Sequence, residues 1–290
     1  MTEENAAYGI FDAPKGPKEY EPGIYVDIPN EDYHAAAGIS NSGLGLIDQC
    51  PAIYYGRRLD PNRPPEKEKG GQLTGTLAHC AILEPKEFDK RYIIGPDVNR
   101  NAKKWKDFVD DHPGCTVIKR EEYDIAWAMR ESVLRLDEIP ALLQSGLVEA
   151  SAFWVDEETG ELCKARPDLA HSQDDMEILI DVKTYSSAEP WEFARQAARK
   201  GYHRQGAMYS DGWSVVTGRP VLAFIFLVVE LEFPHAASAV MLDEDSQDAG
   251  WNLYRRNLHT YAECLRNDRW PGYATGVTAV SLPRYALGDD

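Results

Sequence analysis

One short run constrains the fold more than any other. Glu177-Ile-Leu-Ile-Asp-Val-Lys183 is apolar and β-branched between its charged members, so it reads as a strand. Side chains alternate along a strand, so Asp181 and Lys183 point to the same face of the sheet that contains it. The segment before it, Leu162 to Leu169, reads as a second strand with Arg166-Pro167-Asp168 near its end. Gln173-Asp-Asp-Met176 reads as the turn between the two. Antiparallel pairing of these segments would set Asp168 beside Asp181.

A carboxylate pair with a lysine one pleat further on is the layout of a metal-dependent phosphodiesterase site. Two carboxylates about 4 Å apart repel by roughly 4 kcal/mol at an effective dielectric near 20. A hard divalent cation with oxygen ligands relieves that repulsion. It also lowers the pKa of a water and neutralises charge on a phosphate oxygen. The lysine adds fixed positive charge where water and phosphate would meet.

Other residues fall into place around this pair. Leu147 to Asp156 alternates as a strand, with Glu149, Ser151, Phe153 and Val155 on one face. A glutamate on a packed strand is costly unless it is paired or metal-bound. Gln72 to Leu83 has helical spacing, and His79 lies next to the apolar face. On spacing alone that histidine is a buried core residue. Tyr202 to Val216 is a helix that puts Gln205 and Tyr209, four apart, on one face. Lys164 and Arg166 are available for phosphate.

Gly75-Thr-Leu-Ala-His79, Pro167-Asp168, Asp181-Val-Lys183 and Gln205-x-x-x-Tyr209 occur in the order that marks the RecB-like branch of the PD-(D/E)xK nuclease superfamily, and the chain resembles that branch. The wording from Tyr33-His34 through Gly38-Ile39-Ser40, Ser42-Gly43-Leu44 and Cys50-Pro51-Ala52 is similar to the nuclease domain of RecE-type exonucleases. So are Asp181-Val-Lys-Thr184 and Gly201-Tyr-His203. The resemblance spans residues 23 to 273. It implies an α/β fold: a restriction-endonuclease-like core, with a mixed central sheet flanked by helices and an N-terminal helical elaboration. It implies Mg2+, or Mn2+ in its place, held by Asp168, Asp181 and the Val182 carbonyl, with Glu149 and His79 completing or bordering the site. Lys183 would act on the water, and Gln205, Tyr209 and Arg166 would grip phosphates.

The resemblance further implies 5′-to-3′ digestion of double-stranded DNA from its ends, in a phage or prophage recombination system in the bacterial cytoplasm. Its partners would be linear DNA ends, a RecT-like single-strand annealing protein and further copies of the chain in a ring, a tetramer. A catalytically idle module for DNA ends or a protein partner, and a nuclease of different strand specificity, are the alternatives on the same fold.

Composition bounds the rest. With 43% hydrophobic residues in 290, the chain suits one large domain. The expected division is a flexible tail over 1–22 and one domain over 23–273, with a second tail over 274–290. Within the domain, a helical part covers 30–145, a catalytic core 147–245 and a closing helix 245–267. The Pro-rich, mixed-charge stretch 60–71 reads as an exposed, solvated loop, and Lys103, Lys104 and Lys106 as a solvated basic face. Nothing approaches 18 consecutive apolar residues, and the start Met1-Thr-Glu-Glu lacks the character of a signal peptide. Cys50, Cys80, Cys115, Cys163 and Cys264 are scattered and odd in number, which suits reduced thiols. Only Cys264 lies in the last third, so no iron–sulfur cluster is expected. A net charge of −17 excludes a general nucleic-acid coat protein but not a nuclease, because DNA affinity depends on the charge facing the phosphates.

Overall fold

A computed structural model describes residues 10–12, 20–64, 72–274, 276–283 and 286. The expected strand over 177–183 is the middle of β9 (Met176–Tyr185), and the apolar run after Pro220 is β10 (Val221–Glu230). These two lie parallel, Asp181 beside Phe226, and form the centre of a five-stranded mixed sheet. On one side of the pair comes β11 (Ala237–Val240), antiparallel to β10. On the other side come β8 (Leu169–Gln173) and then β5 (Leu147–Val148), both antiparallel to their neighbours. Central β9 and β10 are apolar on both faces because helices cover both.

One face carries α4 (Gln72–Leu83) and α7 (Arg120–Val133). Ala78 and Ile82 of α4 pack with Met129 and Val133 of α7 onto Ile180, Val182, Leu227 and Val229. The other face carries α9 (Pro190–Lys200) and α10 (Tyr202–Thr217), against which Phe193 and Ala197 pack on Phe226 and Val228. The closing helix α11 (Glu244–Asn267) lies on α10 and buries Tyr254, Leu258 and Tyr261. Each fully buried apolar side chain of this kind contributes about 1.5–3 kcal/mol. Gly201, at φ +72°, ends α9 and starts α10, the left-handed corner that glycine adopts without penalty.

The N-terminal part is helical as expected. It runs through α1 (Asn30–Ala35), α2 (Asn41–Gln49) and α3 (Pro51–Tyr54), which continues as one wide π-helical turn over Tyr55–Leu59. The Ser40 hydroxyl accepts from the Gly43 N–H and caps α2. Further on come α5 (Pro85–Arg91), α6 (Lys103–Asp111) and α8 (Ile139–Leu143), with β3 (Tyr92–Ile94) parallel to β4 (Thr116–Ile118).

Two expectations need correction. Residues 1–22 are not a tail throughout. Ile10–Asp12 form β1, parallel to β2 (Gly23–Val26), and Tyr20 is buried, stacked 4.7 Å from Phe153. The burial of these aromatic rings offsets the ordering cost that the Pro- and Gly-rich composition implied. Residues 1–9 and 13–19 of that stretch, and 65–71 of the expected loop, lie outside the described residues.

The second correction concerns the two strands expected over 147–156 and 162–169. Each is broken in two. Leu147 and Val148 pair with β8 in the five-stranded sheet. Past the break, β6 (Ser151–Val155) pairs with β7 (Leu162–Ala165) in a separate sheet ordered β1-β2-β6-β7. The hairpin therefore crosses from one sheet to the other, as strands do at the corners of packed sheets. Its corner is made of Glu149-Ala150 on one arm and Arg166-Pro167-Asp168 on the other.

Candidate active site

The corner places the first carboxylate. Leu169 pairs with Ile180, so Asp168, one residue before β8, falls in the register position opposite Asp181. One Asp168 carboxylate oxygen, Oδ2, accepts the Val182 backbone N–H at 2.6 Å. His79 brings its Nδ1 to 3.5 Å from the same Oδ2. His79 comes from α4, which covers one face of the sheet, and its approach depends on Gly75 one turn earlier. A Cβ on Gly75 would lie 3.3 Å from Thr184 Oγ1 of β9, close enough that this hydroxyl would have to give way.

Asp181 points to the face of β9 that α10 covers and is within electrostatic reach of Asp168. It is 3% exposed. Gln205 of α10 donates its side-chain amide to Asp181 Oδ2. Lys183 pairs its ammonium with Oδ1. The Lys183 ammonium lies over the Tyr202 ring, 4.4 Å from its centroid. Tyr202 is fixed in turn by a 2.5 Å hydrogen bond between its hydroxyl and that of Tyr185. Sequence reasoning gave Tyr202 no role. The signal was its position at the start of the helix that carries Gln205.

Burial pushes the Asp168 carboxyl up to about 6, and the neighbouring Asp181 adds to the rise. His79, Lys183 and the Val182 N–H pull the other way. Tyr209 is half-buried in the core beside Phe224, and burial holds its hydroxyl well above the usual tyrosine range.

Three expected members of the site stand elsewhere or differently. Glu149 is exposed at the hairpin corner with φ +48°, not on a packed strand face. Its backbone N–H donates to the Asp168 carbonyl at 3.0 Å, so the chain passes the site while the carboxylate faces solvent. Being exposed, Glu149 needs neither a partner nor a metal to offset burial. Lys164 is 5% exposed, and its ammonium donates to the carbonyls of Tyr33 (2.8 Å) and Ala36 (2.6 Å). Burial, with the nearby arginines Arg58 and Arg166, pulls its pKa down to about 8. Arg166 stacks 4.1 Å from the Tyr33 ring centroid and donates to Ser151 Oγ and the Ile28 carbonyl. Both cations tie the N-terminal helices to the hairpin. Val182 contributes a donor N–H to Asp168, and its side chain is in the core.

The donor set fits a hard divalent cation. Two carboxylates, one just before β8 and one on β9, lie within electrostatic reach of each other, and the first has its pKa raised. Among the described residues no three His, Cys, Asp or Glu side chains enclose an ion by themselves. Magnesium commonly binds through one or two carboxylates, with waters and substrate phosphate filling the remaining positions.

This geometry has a counterpart among known domains. A family described as a PDDEXK-like domain of unknown function (DUF3799) matches residues 40–282. The chain belongs to that family. Its mixed sheet flanked by helices is the restriction-endonuclease-like core expected from the sequence. The crystal structure of a candidate exonuclease from Eubacterium rectale superposes on this PDDEXK-like chain with a TM-score of 0.54 at 14% identity, covering 91% of this chain and 98% of that one. At that identity the likeness bears on the fold. A protein from Vibrio cholerae shares 14% identity over 78% of this chain and 58% of its own, with a TM-score of 0.22 that carries no argument. No curated protein matches the PDDEXK-like chain. Among its described residues no helix is long and apolar enough to cross a membrane.

Proposed function

We propose that the chain is a divalent-cation-dependent DNA exonuclease that digests double-stranded ends 5′ to 3′ and leaves 3′ single strands. The observation that carries the nuclease reading is the convergence of Asp168 and Asp181 from two strands with Lys183 beside them. Asp168 and Asp181 hold the cation, bordered by His79. Magnesium, or manganese in its place, supplies Lewis acidity toward the phosphate when bound. Lys183 orients the attacking water and is itself aimed by the Tyr202 ring. Gln205 and Tyr209 border the phosphate path. Lys164 and Arg166 act through the framework they hold, and Glu149 through its backbone.

The finer assignment rests on the ordered RecE-like wording from Tyr33 to Ala52 and around Gly201-Tyr-His203. It is supported by the likeness in fold to a candidate exonuclease. On this reading the chain works in a phage-type recombination system in the bacterial cytoplasm. It hands its 3′ strand to a RecT-like annealing protein and encircles DNA as a homotetrameric ring.

The test is digestion of end-labelled linear duplex with Mg2+, using Lys183→Ala as control. Release of 5′-terminal nucleotides by the wild type alone is the expected result. Preference for 3′ ends would remove the RecE-like assignment, and no release at all would remove the enzyme.

A further inference from the structure

A cleft of about 1010 Å³ opens beside the acidic cluster, between the start of α2, the π-helical turn over Tyr55–Leu59 and β7. Gln205 lines the cleft, and its amide donates to Asp181, so the two sites share a wall. The cleft's charge is opposite to that of the molecule. Asp and Glu make up 48 of the 290 residues, yet none of the described residues lining this cleft is acidic. Its charged members are Arg58, Arg63 and Lys164. A hollow of similar size elsewhere, about 1110 Å³, is of mixed charge, with five acids (Asp97, Glu121, Asp124, Glu131 and Glu232) against Lys119, Arg120 and Arg135. Among the described residues this lining carries no carboxylate, in a chain of net charge −17. The N-terminus of α2 at Ser40 also opens on the cleft and adds the positive end of a helix dipole.

We propose that this cleft binds one strand of a nucleic acid, with Arg58 and Arg63 on its phosphates, and leads it past Gln205 toward Asp181. A concentrated positive lining in an acidic protein focuses its field where a polyanion lies. The volume is that of a large small-molecule pocket, room for a few nucleotides of one strand. It is far too small for a turn of duplex, which is about 34 Å long. An acidic peptide would match the charge, but the shared wall with a phosphodiester-cleaving site favours a polynucleotide. In that respect the proposal rests on the nuclease reading; the binding itself does not.

The test is fluorescence anisotropy on the full chain in EDTA, where no cleavage occurs. The probes are labelled oligo(dT) and oligo(rU) of about eight nucleotides, and a closed-end duplex. Single-strand binding with either sugar, tighter than duplex, is expected. Arg58→Ala/Arg63→Ala should weaken it about tenfold or more and flatten the salt dependence by roughly 0.7 in log–log slope per arginine. Arg57→Ala, an exposed arginine outside the lining, should change affinity less than about twofold. An unchanged double variant that melts like the wild type would overturn the proposal. So would preference for duplex, or equal displacement by oligo-glutamate of matched charge. If the double variant loses binding but the wild type releases no nucleotide with Mg2+, the cleft stands and the nuclease reading falls. Digestion by the wild type, with binding and digestion unchanged in the double variant, gives the reverse.

Discussion

Strand β9 carries two acids four residues apart on the same face, Glu177 and Asp181, and both are 3% exposed. Their surroundings differ. Glu177 accepts from Ser172 Oγ at 3.0 and 3.1 Å, from Trp213 Nε1 at 3.2 Å and from Arg219 at 3.2 Å, so both its oxygens are satisfied. Asp181 has one lysine and one amide as donors, with another carboxyl group as a neighbour. A buried carboxylate that serves the fold is surrounded by donors. One buried beside a second acid, with a single donor on each oxygen, is an arrangement that stability alone does not explain, and such local conflicts concentrate at functional sites.

Exchanging the two acids' neutral isosteres gives the largest contrast. Asp181→Asn should lower nuclease turnover by about a thousandfold or more, roughly 4 kcal/mol of lost transition-state stabilisation. Its melting temperature should move little, because relief of the repulsion from Asp168 offsets the loss of the Lys183 ion pair. Glu177→Gln should behave in the opposite way. Removing the carboxylate from Arg219 and setting an amide against a donor should cost about 2–3 kcal/mol, somewhat below a fully buried pair, with turnover per folded molecule retained. Thermal melts and initial rates on both variants decide it. A collapse of stability in Asp181→Asn would make that acid structural and erase the distinction.

The sequence could show only part of this contrast. Asp181 and Lys183 were legible because strand periodicity fixes their common face. The four-residue spacing of Gln205 and Tyr209 was legible for the equivalent reason in a helix. The structure of Glu177 was not, because its partners Trp213 and Arg219 lie in segments distant in sequence, whose approach no local pattern encodes. The sheet-switching corner was hidden more deeply. Strand-forming residues continue on both sides of the corner within Leu147–Asp156, and the break falls at a glutamate with positive φ, a conformation for which sequence gives no warning. Lys164 and Arg166 were read from charge alone, and charge does not reveal that the carbonyls of Tyr33, Ala36 and Ile28 are waiting for them.

Metal sharpens the comparison at the next level down. A cation that binds the folded state raises stability by RT ln(1 + [L]/Kd), about 2.7 kcal/mol at a hundredfold excess over Kd. Millimolar Mg2+ should therefore raise the melting temperature of the wild type and of Glu177→Gln alike, and leave Asp181→Asn unmoved. An equal shift in all three proteins would place the ion away from β9's acidic end.

The smallest effect is on pH, and it turns on Asp168. Folded, this carboxyl keeps its proton to about pH 6; unfolded, to about pH 4. Because the folded pKa is the higher one, its contribution to stability without metal is fully present below about pH 4 and is lost as pH rises through 6. Holding a divalent ion requires the proton gone, so with Mg2+ the direction reverses, and the metal-induced shift should grow between pH 5 and 7. The clean measure is the difference in melting temperature between wild type and Asp168→Asn, because the other acids titrate in both. That difference should decline across pH 4–6 without metal and climb across the same range with it. A difference flat in pH under both conditions would mean that Asp168 is as settled in its surroundings as Glu177, and the two ends of β9 would no longer differ in kind.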